Sequence, residues 1–468
     1  MTEITLMVHQ DENAVFWQKH PRMFNHDDTG TGKTMSALAG YKASIKGRLL
    51  VIAPLTILRC AWGQDTDKYL PNFSWAVAHG TPQKRMDAFK SPSDIVLINH
   101  DGVNWLAENL DLLSGFSHCV VDEYTAFKNR ATKRSKAMYK VASSIESLCL
   151  MSGTPNSNKI TDLWFPSFLL DEGIRLGNNF FKFQQSVCEG RSVPGVMNAV
   201  EWVEKDGARD VVANLLRDIT IRHSREDCID IPKNRMYTLQ VDMPPAVMKQ
   251  YKELQEESIL ALDEGLITAV HAGSRTKKIL QLLSGAVYDT EGQIVKVHPH
   301  RYKLVMDLVE ARTHCLVAFN WKHERNALVY IAKERGIPYA VIDGDTPPNA
   351  REEIVDDYQA GKYQVVFAHP QSAGHGLTMT KGVATIWASP TYNAEHFQQL
   401  NARIDRKGQT HETETICICA SGTKEEDVYE KLNGKLSRMS DLLALFAANT
   451  KLTPTLPQTP TEQRTNAF

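Results

Sequence analysis

Two glycines, a lysine and a hydroxyl stand together in Asp27-Asp28-Thr29-Gly30-Thr31-Gly32-Lys33-Thr34, just ahead of a stretch with helical character. Glycine lets a backbone turn tightly enough to aim several N–H groups at one anion, and a helix that follows adds the positive end of its dipole. Lys33 would set a point charge beside the β and γ phosphates of a nucleotide, and Thr34 would offer a hydroxyl to Mg²⁺. The strict phosphate-loop pattern has glycine where this chain has Asp27. Taken alone, the stretch therefore also reads as a Gly-rich turn with an incidental Gly-Lys-Thr.

Further along, His118-Cys119-Val120-Val121-Asp122-Glu123 is an apolar run that ends in paired carboxylates. A strand tip can deliver Asp122 to a Mg²⁺ shell while Glu123 polarises an attacking water. Two solvated acids opening a loop are the bland alternative, which the glycine-rich loop upstream weighs against. Late in the chain, Phe397, Leu400 and Ile404 share one face of a predicted helix over 394–406, with Arg403 and Arg406 three apart. Two guanidinium groups so placed can reach a γ-phosphate across a cleft, or form surface ion pairs. Lys128, Arg130, Lys133, Arg134 and Lys136 concentrate bases just after the paired acids. Such a run can follow a phosphate backbone without reading sequence, or be a solvated helix face. Arg275, Lys277 and Lys278 form a weaker basic cluster, and Trp321 is read as a half-buried core residue in preference to a base-stacking one.

The elements that must position these groups follow from hydropathy. Apolar runs at 49–53, 94–98, 118–122, 148–151, 315–319, 339–342, 363–368, 383–388 and 415–419 are mostly flanked by Gly, Pro, Asn or Asp, and helical stretches such as 35–46 lie between them. Continuous apolar strands alternating with helices imply parallel sheets covered on both faces. The runs fall into two groups, before about residue 155 and after about residue 313, which predicts two α/β domains. The middle reads as helical (166–170, 211–217, 244–266, 275–283) with a turn at Ile231-Pro232-Lys233-Asn234. The last residues, rich in Pro, Thr and Gln, read as disordered.

Composition narrows the class. The chain has 468 residues, 42% hydrophobic and 23% charged, an ordinary globular balance too long for one core at about 150 residues per domain. No run matches a membrane span, and the first residues carry acids where a leader would carry bases, so an intracellular protein is expected. The eight cysteines sit without any Cys-x-x-Cys pair, which argues against a zinc ribbon or a disulfide framework and for reduced core thiols. A net charge of −2 does not exclude a nucleic-acid partner, because bases can gather on one face.

Together these segments resemble superfamily-two helicases, specifically Swi/Snf-type DNA translocases, over nearly the whole chain ahead of the tail. Gln10 is similar to the family's adenine-reading glutamine. Asp27–Thr34 resembles motif I, which in this family has an acid pair ahead of its glycines. Residues 51–56, with Thr56, resemble motif Ia, and Ile98-Asn99-His100 resembles the next nucleic-acid-contacting segment. Asp122-Glu123 heads motif II, Ser152-Gly153-Thr154-Pro155 resembles motif III and residues 316–319 motif IV. Residues 372–377, including Gly376, resemble motif V, and Arg403–Gln409 motif VI with the Gly-Gln ending of the Swi/Snf branch. Tyr124 and Thr125 depart from the usual Ala-His of motif II, which leaves open how the lobes sense each other.

The resemblance implies an α/β fold of two RecA-like parallel-sheet domains with helical insertions between them. The expected division is 1–155 for the ATP-binding lobe, 156–300 for insertions and linker, 301–449 for the C-terminal lobe and 450–468 for the tail. It implies ATP and Mg²⁺ as cofactors. Lys33, Glu123, Arg403 and Arg406 would be catalytic, Gln10, Thr29, Gly30, Thr31, Gly32, Lys33, Thr34 and Gly376 would bind nucleotide, and Thr34 and Asp122 would hold the metal. Thr56, Asn99, His100, Lys128, Arg130, Lys133 and Arg134 would face nucleic acid. Duplex or branched DNA is the expected partner of a monomeric motor in replication, recombination or repair. Its expected place is the cytoplasm of a bacterial or phage-infected cell, or the nucleus of a eukaryotic one. A strand-separating helicase and a non-catalytic binding module on a dead helicase fold are the rival readings, and the intact Lys33, Thr34, Asp122, Glu123, Arg403 and Arg406 speak against the second. Chromatin-reading extensions are not expected.

Overall fold

Short β-branched segments that are apolar on both sides must be covered on both sides, and here they are. The computed structural model describes residues 5–452 except 45, 156–158, 193–199, 264–268, 290 and 374–376. The first lobe contains β1 (Arg22–Asn25), β2 (Arg48–Ala53), β3 (Trp75–Ala78), β4 (Ile95–Asn99), β5 (Phe116–Asp122) and β6 (Ser147–Met151). The middle contains β7 (Cys188–Ser192), β8 (Val200–Glu204), β9 (Thr220–Ile221), β10 (Asn234–Val241), β11 (Ala286–Tyr288) and β12 (Ile294–Lys296). The second lobe contains β13 (Cys315–Ala318), β14 (Tyr339–Ile342), β15 (Val365–Ala368), β16 (Ala384–Trp387) and β17 (Thr413–Ala420).

Thirteen of these strands build two parallel sheets, ordered β3-β4-β2-β5-β6-β1-β9 and β10-β17-β16-β13-β15-β14, while β7 with β8 and β11 with β12 form two antiparallel pairs. Every apolar run expected to be a strand is one. The central strands are fully buried, and their two faces feed separate core clusters in each lobe. All eight cysteines are free and six of them are buried, in keeping with reduced core thiols. Among the described residues, no helix is long and apolar enough to cross a membrane.

The middle segment holds more than helices. It donates β9 to the edge of the first sheet, beside Phe24 and Asn25, and β10 to the edge of the second. Because β10 is largely exposed and rich in polar residues, its sequence lacks the continuous apolar run that marks a buried strand. The predicted helix over 394–406 is shorter than expected. It ends at Asn401, and Arg403 and Arg406 lie on the turns that follow, although Phe397, Leu400 and Ile404 are buried as expected. Trp321 is half-buried, with the Lys277 ammonium 5.6 Å from its ring centre.

The final helix, Lys424–Leu452, runs from one lobe to the other. Tyr429 and Leu432 pack in the second lobe's core, whereas Met439, Leu442, Leu443 and Phe446 pack in the first. Residues 453–468, most of the segment read as a tail, lie outside the described residues.

Candidate active site in the cleft between the sheets

The glycine-rich loop joins β1 to the helix Lys33–Ser44 at the carboxyl end of the first sheet, where open parallel sheets bind their ligands. Gly30 and Gly32 take positive φ angles of 91° and 85°. At Gly32 a Cβ would stand 2.5 Å from the Gln10 amide nitrogen, so a side chain is excluded there by contact as well as by conformation. Gln10 donates weakly to the Thr31 and Gly32 carbonyls, at 3.4 Å each, and accepts from Met7 N at 3.0 Å. Lys33 Nζ donates to the Asp27 and Asp28 carbonyls at 2.9 and 3.1 Å, while Thr31 Oγ1 donates to the Asp28 carbonyl. Thr29 lies against Gly153, and Thr34 is half-buried in the first turn of the helix.

The acid at position 27 now has a physical explanation. Asp27 is fully buried and accepts from Asn13 Nδ2 at 2.8 Å and from the His223 amide at 2.8 Å, with His223 Nδ1 at 2.9 Å. Asp28 pairs with Arg222 at 2.7 Å and accepts from the Arg225 amide. The acid pair thus anchors the loop to the segment after β9, which a glycine could not do. Burial opposes the charge of Asp27, yet His223 and then Lys33 outweigh it and hold the carboxyl below its ordinary value.

Asp122 ends β5, level with Met151 of β6. Its Oδ2 accepts from Trp62 Nε1 at 3.0 Å, and its carbonyl lies 2.8 Å from His100 Nε2. Glu123 has a φ of 52°, an unusual conformation for a non-glycine residue and one that turns its side chain off the strand. Ser152 Oγ donates to Glu123 Oε2 at 3.1 Å. Burial, then the neighbouring Asp122, pushes the Glu123 carboxyl upward, against the charge of Lys33. Burial also raises Asp122, with Lys33 again opposing.

The second lobe brings its arginines to this point. Arg403 donates to the Gln399 and Leu377 carbonyls at 2.8 and 3.1 Å, and Arg406 donates to the same Leu377 carbonyl at 3.0 Å. A Cβ added at Gly30 would lie 3.4 Å from Arg406 Cβ, so the loop and the second lobe are in contact. Burial pushes Arg403 down to about 9, with Arg406 adding to the effect and Glu123 opposing it. A buried guanidinium whose hydrogen bonds go to carbonyls fits an anion, and two buried acids raised by burial fit a divalent cation. The residues present therefore suit a nucleotide phosphate chain with Mg²⁺. Across the same cleft, Arg225 pairs with Asp405 at 2.9 Å and Thr125 Oγ1 donates to Glu395 Oε1 at 2.9 Å.

The residues expected to face nucleic acid scatter more widely. Thr56 is half-buried in a short 3₁₀ turn after β2. Asn99 is buried at 7% exposure, and His100 is half-buried with its Nε2 2.8 Å from the Asp122 carbonyl. Asn99 ends β4 and His100 follows it, where the carbonyl at the tip of β5 holds the imidazole. Lys128 faces Asp162 and Glu395 in the cleft, Arg130 lies over the Phe180 and Phe181 rings, and Arg134 pairs with Asp101. Lys133 and Lys136 are exposed. Gly376 lies outside the described residues. Sequence reasoning missed Trp62, Arg222, His223, Arg225 and Glu395. The cluster Arg222-His223-Ser224-Arg225 directly after an apolar Ile219–Ile221 was a usable signal, whereas nothing local marks Trp62 or Glu395.

Residues 6–287 match the SNF2-related domain, and residues 300–408 match the helicase conserved C-terminal domain. The chain is similar to putative protein p41 of Acyrthosiphon pisum secondary endosymbiont phage 1, 28% identical over 440 residues that cover 88% of this chain and 92% of that protein. It is 24% identical to the DNA annealing helicase and endonuclease ZRANB3 of Bos taurus, covering 87% of this chain and 38% of that one. It is 23% identical to the putative ATP-dependent helicase/translocase YwqA of Bacillus subtilis, covering 87% and 45%. The chain thus spans less than half the length of these two cellular relatives. A solved Sulfolobus solfataricus SWI2/SNF2 ATPase core in complex with dsDNA aligns over 96% of each chain at 19% identity, with a TM-score of 0.43.

Proposed function

This chain belongs to the SNF2-related family of superfamily-two helicase-like ATPases, and from that premise we propose that it is a motor that moves along double-stranded or branched DNA. The observation that carries the reading is the contact of two lobes at one site. Arg406 packs against Gly30 of the loop, and Arg403 lies close enough to feel the charge of Glu123. A site completed only when two lobes meet can convert a chemical step into relative movement.

In this reading the loop amides and Lys33 hold the phosphate chain, and Thr34 and Asp122 hold Mg²⁺. Bound ATP with Mg²⁺ supplies the reactive phosphoanhydride and neutralises its charge. Glu123, pushed upward by burial and by Asp122, orients a water and takes its proton. Arg403 and Arg406 contribute positive charge from the facing lobe, as arginine fingers do elsewhere. Gln10 sits against the loop where it can sense the nucleotide base. DNA as the track is supported by the name of one cellular relative, the DNA annealing helicase ZRANB3, and by exposed Lys133 and Lys136 beyond motif II. Replication, recombination or repair is the setting this reading gives the motor.

ATP hydrolysis measured with no nucleic acid, single-stranded DNA, duplex, forked DNA and RNA tests the proposal. Duplex or forked DNA should stimulate far more than single strands or RNA. An ATP-dependent loss of a triplex-forming third strand should accompany it, because a motor on the duplex strips that strand from the groove. A simple tailed duplex should stay paired, since melting costs about 1.4 kcal/mol per base-pair step in stacking. Unwinding of the tailed duplex without triplex displacement would replace the translocase by a strand-separating helicase.

A further inference from the structure

Motif II continues into a set of contacts that cross the cleft and that no catalytic role above uses. Thr125 Oγ1 donates to Glu395 Oε1 at 2.9 Å, and the Lys128 ammonium lies 4.0 Å from Glu395 Oε2 and 3.5 Å from Asp162 Oδ2. The Gln399 amide reaches the same Glu395 Oε1 at 3.5 Å. Thr125 and Lys128 belong to the first lobe and Asp162 to the turn Ile160–Leu163 that follows it, whereas Glu395 and Gln399 belong to the second lobe's helix Ala394–Asn401. Glu395 and Glu123 help line one cavity of about 180 Å³, shared with Pro54, His100, Ala126 and Lys128.

The helix gives this carboxylate a direction of action. Glu395 and Gln399 stand four residues apart and therefore on one face. The backbone carbonyl of Gln399 in turn accepts from Arg403 Nε at 2.8 Å. Polar contacts thus lead from Thr125, two residues past Glu123, to Glu395 and the Gln399 side chain, and the backbone of Gln399 holds Arg403, whose charge Glu123 favours. Gln399 is 1% exposed and Glu395 keeps 18% side-chain exposure, so water competes weakly for these bonds.

We infer that Glu395 is a positioning residue that registers the second lobe against Thr125, so that Arg403 is presented opposite Glu123. The Thr125 hydroxyl is a part-buried donor at the mouth of the cleft. Glu395 supplies its acceptor. The inference rests on the proposed reading that ATP is hydrolysed in this cleft.

The full chain carrying Glu395→Ala, Glu395→Gln, Thr125→Val or Glu395→Ala with Thr125→Val tests it through two measurements. The first is kcat and KM for ATP with and without duplex DNA. The second is amide hydrogen exchange over residues 122–128 without nucleotide. Glu395→Ala should lower kcat about tenfold while KM moves less than about twofold, and exchange in that segment should rise. Glu395→Gln keeps an acceptor for the Thr125 hydroxyl and should restore most of both. The double variant should be no worse than the worse single one, because both remove the same contact. A folded Glu395→Ala protein with wild-type kcat and wild-type exchange overturns the inference, as do losses that multiply in the double variant. A wild-type protein whose hydrolysis ignores DNA would count against the motor reading alone, and the exchange comparison would still decide the role of Glu395.

Discussion

At the scale of single residues, the site turns on groups whose charge is out of balance until a ligand arrives. Lys33 now satisfies itself on two carbonyls of its own loop, at 2.9 and 3.1 Å, contacts that a phosphate would outcompete. Lys33→Ala should therefore abolish turnover. Glu123→Gln should still bind ATP and hydrolyse it very slowly, because the amide retains the Ser152 hydrogen bond but cannot take a proton. Equilibrium binding of a fluorescent ATP analogue beside steady-state ATPase rates separates the two, and near-normal turnover in Glu123→Gln would remove that residue from its role. Arg403→Ala or Arg406→Ala should cut kcat by about 10³–10⁵, the range known for arginine fingers. Circular dichroism must show these variants folded, and a folded double variant with unchanged kcat would make the arginines ordinary interior charges.

At the scale of elements, the helix Lys133–Ser143 carries the basic run, and its bases are not equivalent. Thr132 caps it through Ser135 N, and Ser135, Ala137, Met138, Val141 and Ala142 bury one face, which leaves Lys133 and Lys136 outward. Arg134 spends its guanidinium on Asp101 and the Ala126 carbonyl. Lys133→Ala with Lys136→Ala should weaken DNA binding equally across sequences and flatten the salt dependence by about 0.9 per lost phosphate contact. Adding Arg134→Ala should change the slope little further. Fluorescence anisotropy over a salt series measures both, and an unchanged slope in the double variant would make the run a solvated face. The last helix acts at a longer range. Phe446 is fully buried in the first lobe's core, 5.1 Å from the His26 ring, and His26 Nε2 lies 2.9 Å from the Tyr124 hydroxyl of motif II. Phe446→Ala should cost about 3–5 kcal/mol in a urea titration.

At the scale of the whole molecule, the loop acids, the segment after β9 and the second lobe form one charged seam. Asp27 with His223, Asp28 with Arg222, and Arg225 with Asp405 tie three parts of the chain together. Burial opposes a charge on His223, but Asp27 and then Glu12 outweigh it and hold its pKa above the ordinary 6.5. His223 thus contributes stability that is complete below 6.5 and fades as pH rises through its raised value. Asp27, held below its ordinary 3.8, contributes stability that is complete above that pH and fades as pH falls through its lowered value. Wild type should therefore exceed His223→Gln by most between pH 3.8 and 6.5, and the gap should narrow toward alkaline pH. Urea midpoints of both proteins across that range decide it, and a gap independent of pH would mean that His223 acts only as a neutral donor.

Much of this protein was legible in its residues because the deciding forces are local. A run such as Leu49–Ala53 has no polar face to offer water, so it becomes an interior strand wherever the sheet forms. Gly30 and Gly32 admit backbone angles that other residues resist, and these work within a few residues. The loop, the acid-tipped strand and the paired sheets follow from such facts. Other features depend on which surfaces meet. β9 and β10 are too short or too polar to announce themselves, and they become strands because a sheet edge is there to receive them. Asp27 looked like a defect in a glycine motif until His223, far along the chain, proved to be its partner. His100 meets the Asp122 carbonyl at the tip of β5, a partner that nothing near it in the sequence announces. Thr125 and Glu395 are 270 positions apart, and no propensity or period acts over that distance. Only the meeting of the two lobes, the turn after β5 against the helix Ala394–Asn401, could bring them together.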